Sequence, residues 1–154
     1  MYRIIMLCVS LALIPSCSVG EKMSLGEKML SDTASRNGAL VCTSQRHQLL
    51  SDLASSHAYH MAMRERVSHD DFGIRASKIY RDLGLMASEI CASTYPSGIG
   101  LDKNVMDDAW DSFQASPEHW AVASKKHTYW GGSMHQGSDG RWYVCIIVAD
   151  EVGK

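Results

Sequence analysis

His69, Glu89 and His119 are three residues of this chain whose types could do chemistry together if the fold joins them. Two neutral imidazoles and a carboxylate are a reasonable ligand set for Zn²⁺ or another divalent cation with one position left open. An open position can hold a water of lowered pKa, the starting point for hydrolysis, with Glu89 as ligand or general base. The same side chains also suit a plain hydrogen-bond network, because each neutral imidazole has one donor and one acceptor and the carboxylate only accepts. They stand 20 and 30 residues apart with no short metal motif between them, so only a fold can make them neighbours.

The elements that must position them are legible in part. Leu50, Leu53, Ala54, His57, Ala58, Met61 and Glu65 fall at helical spacings, which gives one mostly apolar face. Thr43 or Ser44 can cap this helix, and Arg64, Glu65 and Arg66 close it with charge. The chain then turns through Val67 and Ser68 into His69. Asp70 and Asp71 are expected to cap a second helix over residues 74–83, with Ile74, the Lys78 stem, Ile79 and Leu83 on one face. Gly84 is its expected stop. Glu89 is the single acid in the apolar run 85–92, which opens a strand or a helix. A third helix is expected over 103–114, capped by Asp102, with Val105, Met106, Ala109, Trp110 and Phe113 facing inward. Ser116-Pro117 ends it and starts another short helix, on which His119 sits.

The C-terminal part is β in character. Residues 127–134 read as one strand, 136–140 as a turn, and 141–149 as a second strand with Ile146, Ile147 and Val148 consecutive. A strand apolar on both alternating faces must be covered on both sides. The expected fold is therefore α+β, a three-layer α-β-α sandwich around a small antiparallel sheet.

Leu50, Ala54, His57, Met61 and the Ser68-His69 pair, followed by Gly84, Glu89, Trp110 and Ser116-Pro117-Glu118-His119, form an ordered set. That set resembles the CAP superfamily (SCP-like: cysteine-rich secretory, antigen 5 and pathogenesis-related 1 proteins), in its bacterial form, across most of residues 45–148. The resemblance implies the same sandwich and a central cleft in which two His and a Glu meet. It matches those to His69, Glu89 and His119. Metal binding is known for some members, and no general catalytic activity is established for the family. Ile90 stands where the family has Asn, and Glu118 where a small Gly is common. Asp107, Asp111, Gln114 and Glu118 all lie near the place of the family's second Glu. Trp120, beside His119, is the tryptophan best placed for a cleft wall, while Trp110 and Trp142 are assigned to packing.

At 154 residues the chain suits one core, and 45% apolar with 21% charged residues indicates neither disorder nor a polytopic membrane protein. With a net charge of −2 and no basic stripe, nucleic acid is a poor partner. Arg3 and the apolar run 4–14 read as an export signal over residues 1–16, too short for a span that needs about 20 residues. Ile14-Pro15-Ser16-Cys17 resembles a bacterial lipobox, in which Cys17 would be lipidated; simple secretion and an uncleaved anchor are the other readings. Residues 17–37 read as a tether with a short helix near 25–35, and 38–154 as the domain. Export implies an oxidising compartment, in which Cys42, Cys91 and Cys145 permit one disulfide in three pairings or remain three small buried hydrophobes.

These expectations converge on an extracytoplasmic, cell-envelope CAP-like protein. Its leading function is a binding module whose cleft of His69, Glu89, His119, Glu118 and Trp120 takes a small molecule, peptide or lipid. A metal-dependent, peptidase-like hydrolase is the alternative. A structural envelope protein with a vestigial cleft is the third reading.

Overall fold

The computed structural model describes residues 22–95 and 103–153. The signal segment, Cys17, Asp102 as a cap and the loop at 96–100 lie outside the described residues. Among the described residues five α-helices run α1 Leu25–Ala34, α2 Gln48–Arg64, α3 Phe72–Leu83, α4 Lys103–Gln114 and α5 Pro117–Ala123. The described strands are β1 Gln45–Arg46, β2 Leu85–Ser93, β3 Tyr129–Gln136 and β4 Trp142–Glu151, in the order β1-β3-β4-β2. Among the described residues no helix is long and apolar enough to cross a membrane.

The fold is α+β, and β4 shows why. Val144, Ile146 and Val148 join one apolar cluster with Leu30 of α1, Trp110 and Phe113 of α4 and Ala123 of α5. Tyr143, Cys145, Ile147 and Ala149 join the other, with Leu50, Ala54 and Met61 of α2 and Ile79 of α3. Alternate residues of one strand thus feed two cores on opposite faces, the period-2 consequence of burying both sides. Within this frame β2–β4 and β3–β4 pair antiparallel. The sheet is nevertheless mixed, not antiparallel throughout, because β1 adds to β3 in parallel through Gln45↔Tyr129 and Arg46↔Trp130. A two-residue strand leading straight into α2 has too few positions to show a period.

Several local expectations meet the structure closely. Gly84 ends α3 at φ +70°, and Ser116 caps α5 with Pro117 in its first turn. Others shift. Residues 41–43 form a 3₁₀ turn, and the α2 cap is His47, whose Nδ1 accepts from Leu49 N at 3.2 Å. Ser44 Oγ instead accepts from His127 N. Asp71 sits at the α3 cap with φ +59° and makes no side-chain capping bond. Ile74 is 70% exposed, so the inward face of α3 is set by Ile79 and its neighbours rather than by Ile74.

The short helix 25–34 is no mere tether. Leu30 and Ala34 enter the core, and Thr33 Oγ1 accepts from the buried Trp110 Nε1 at 2.9 Å. Glu27 is buried, where it accepts from Arg46 Nε at 3.1 Å, from Ser24 N at 2.9 Å as half of a capping box, and from Ser51 Oγ. This one carboxylate ties α1 to β1 and α2. Burial alone would raise its pKa, but the hydrogen bonds from Arg46, Ser51 and Ser24 hold it below the ordinary 4.5. A depressed carboxylate contributes stability above its unfolded value and loses it as pH falls through its folded value. Glu27→Gln is therefore expected to flatten the acid limb of stability below pH 4.5. Urea midpoints measured across that range check it; an unchanged acid limb would show that Glu27 is not the titrating group.

Candidate functional site

His69 follows α2 by a short turn that is itself fastened down. The buried His57 Nε2 donates to Ser68 O at 2.7 Å, and Ser68 N lies 3.5 Å from Met61 Sδ. The α2 helix thus holds the turn that presents His69. Glu89 lies on β2, its side chain 0% exposed. His69 Nδ1 donates to Glu89 Oε1 at 3.0 Å. His119 arrives from α5, its ring edge-on to Phe113 of α4. His119 Nε2 stands 3.4 Å from His69 Nε2. The structure therefore brings His69, Glu89 and His119 together.

The cleft they share has a volume of about 350 Å³, and Phe72, Ile90, Val122 and Glu118 complete its walls with Ser88. Glu118 is the acid of the 107–118 group that reaches it. Asp107 pairs with Arg36 and Asn37, and Gln114 donates to Asn37 O. Trp120 does not form a wall. It packs against the α1–α4 core with its ring beside Gly38. One residue along a helix rotates the side chain by about 100°, so His119 and Trp120 cannot share a direction. Phe72 and Val122 supply the apolar walls instead.

Arg75 is the residue that sequence reasoning missed. Its Nε donates to Glu89 Oε2 at 2.7 Å and its Nη2 to Glu89 Oε1 at 2.8 Å, a two-pronged grip on a fully buried carboxylate. Its only sequence signal is its place one turn into the helix after His69. Beneath Glu89 lie further groups. Cys145 Sγ is 3.7 Å from Glu89 Oε2. Ligand atoms of His57, Glu89 and Cys91 all lie within 4.8 Å of one another.

These contacts decide protonation. The neighbouring Cys91 sulfur and then the hydrogen bond with Glu89, against the opposing effect of burial, push His69 up to about 9. Burial and then the charge on His69 lower His119. With His69 charged and His119 neutral at pH 7, the His69 Nε2–H donates to His119 Nε2. Burial disfavours charge on His57, but the neighbouring Cys91 sulfur and the hydrogen bond to the Ser68 carbonyl raise it overall. Cys145 first, and then His57 and His69, hold the Cys91 thiol below its ordinary value against the opposing effect of burial. Burial drives Cys145 well up.

Glu89 fits poorly as a metal ligand or free base, since Arg75 and His69 already occupy its oxygens. The two imidazoles fit better. Ligand bonds of about 2.0–2.1 Å at a tetrahedral angle place two nitrogens roughly 3.4 Å apart, and His69 Nε2 and His119 Nε2 are 3.4 Å apart. Glu89 would then orient His69 from behind, as carboxylates do for metal-bound histidines.

No family model and no curated protein matches the chain. Among solved structures its fold is similar to that of an outer surface protein from Borrelia burgdorferi, with a TM-score of 0.54 and 17% identity over 81% of this chain and 89% of that one. At that identity the likeness is one of fold alone.

Proposed function

We propose that this protein is an exported, CAP-like binding module of the cell envelope whose cleft takes a small molecule, a peptide or a lipid headgroup. The observation that carries the reading is the saturation of Glu89. Its carboxylate is gripped by Arg75 and spent on orienting His69. What faces a ligand is the His69–His119 pair, set between the apolar walls of Phe72, Ile90 and Val122. A few convergent polar groups in an apolar cleft are the usual make-up of a recognition site. The surface location named for the Borrelia neighbour agrees with an extracytoplasmic place, and lipidation at Cys17 would add a membrane anchor.

The expected result is calorimetric binding of one class among short peptides, small organic acids and anionic phospholipid vesicles. Binding should weaken by about 10- to 150-fold in His69→Ala or His119→Ala, the worth of about 1.5–3 kcal/mol for a charge-assisted hydrogen bond. No binding, together with chelator-sensitive cleavage of peptides, would replace this reading with the hydrolase. The nitrogen spacing favours that second reading: zinc held by His69 and His119 would supply Lewis acidity there, and it would have to displace the proton the two rings share. Full cellular function retained by the His69→Ala, His119→Ala double variant would leave only a structural role.

A further inference from the structure

Cys91 on β2 and Cys145 on β4 are direct partners in an antiparallel register. Opposed residues in such a pair have Cα atoms about 4.5 or 5.5 Å apart. Both separations fall inside the roughly 4.4–6.8 Å that a disulfide bridges. Both side chains enter the same apolar cluster, so they leave the sheet on one face. Both are buried, at 2% and 0% exposure. Cys42 belongs to the other side of the sheet, packed against the α1–α4 core. All three are free thiols in the structure.

We propose that Cys91 and Cys145 are a dithiol site that closes to a cross-strand disulfide, placed where the bridge is felt by the histidines under the cleft. The co-reactant is a disulfide such as glutathione disulfide. The Cys91 sulfur attacks one sulfur of that reagent, forming a mixed disulfide and expelling one thiolate. The Cys145 sulfur then attacks the Cys91 sulfur, forming the intramolecular bond and expelling the second thiolate. Two cysteine thiols lose two protons and two electrons, and one glutathione disulfide becomes two thiols. Because both sulfurs are buried, exchange takes place as the chain folds or opens locally. Closure draws the Cys91 sulfur toward Cys145 and away from a His57 ring nitrogen and the Glu89 carboxylate, both within 4.8 Å of it, and His69 donates to that same carboxylate. The site does not depend on what the cleft binds.

The test is refolding of the full chain in a glutathione redox buffer, alkylation of free thiols, and non-reducing peptide mapping. The linked Cys91–Cys145 peptide is expected to exceed any other bridged pair at least about tenfold, with Cys42 alkylated. It should form unchanged in Cys42→Ser. A bridge through Cys42, or Cys91 and Cys145 both recovered as alkylated thiols, would overturn the proposal. In Cys42→Ser, imidazole NMR signals of His57 and His69 are expected to move on oxidation while that of His47, at the far end of α2, stays. A bridge that leaves His57 and His69 unmoved would overturn the link to the cleft.

Discussion

Arg75→Met is expected to destabilise the fold by about 3 kcal/mol, near the lower end of the roughly 3–5 kcal/mol cost of leaving a buried charge without its partner. Glu89 is fully buried, and Arg75 is its bidentate partner, itself only 11% exposed. Methionine keeps the stem and its packing but removes both donors. The expectation sits at the lower end because His69 still donates to Glu89 Oε1. Urea denaturation of the variant beside the parent measures it. The Arg75→Met, Glu89→Gln double variant should recover most of the loss, since a neutral amide no longer needs the cation. A single variant within about 1 kcal/mol of the parent would show that the pair is dispensable, far below the cost of an unpaired buried charge, and Glu89 would then not be saturated by Arg75. The double variant also separates roles: it removes the acid behind His69 while restoring stability, so a remaining binding defect reports on His69 orientation.

Gly131→Ala is expected to be worse still, above the roughly 1–3 kcal/mol usual for overpacking. A Cβ at this position would lie 2.2 Å from Ser51 N and 2.5 Å from the Leu50 carbonyl carbon. These are backbone atoms of α2 and cannot swing aside as a side chain would. Either α2 lifts from β3 or the strand bends, and both open the cluster around Leu50 and Ala54. Gly73→Ala is the contrasting case. Nothing lies within 4 Å of its Cβ position on α3, so replacing a helical glycine should stabilise by about 0.5–1 kcal/mol. Thermal unfolding of the two variants should move in opposite directions. If Gly131→Ala melts with the parent, α2 does not sit on β3 as closely as these distances require. Because α2 carries His57 and the turn to His69, a lifted α2 should also weaken the site.

Much of the local structure was legible because its causes are local. The Leu50–Met61 spacing, the Gly84 stop and the Ser116-Pro117 start each act within one or two helical turns, and each is where the structure has it. The consecutive Ile146, Ile147 and Val148 required cover on both faces of a strand, and the α+β layering follows from that single run. The helix over 103–114 agrees to its ends. For the candidate site, sequence supplied His69, Glu89 and His119 through a resemblance, not through spacing.

What tertiary structure alone decided is everything that depends on register or on which way a ring turns. Ile74 and Arg75 are adjacent, and nothing local says that the cation goes inward and the isoleucine outward; the buried Glu89 decides it. Trp120 faces the core rather than the cleft for the same kind of reason. The pairing of β1 with β3, the union of Glu27 with Arg46, and the opposition of Cys91 to Cys145 join residues far apart in the chain. A side chain's helical phase is set by its neighbours within a few residues. Its partner across a sheet is set by how the whole chain closes, and a one-residue slip of a strand would send that strand's side chains to the other face.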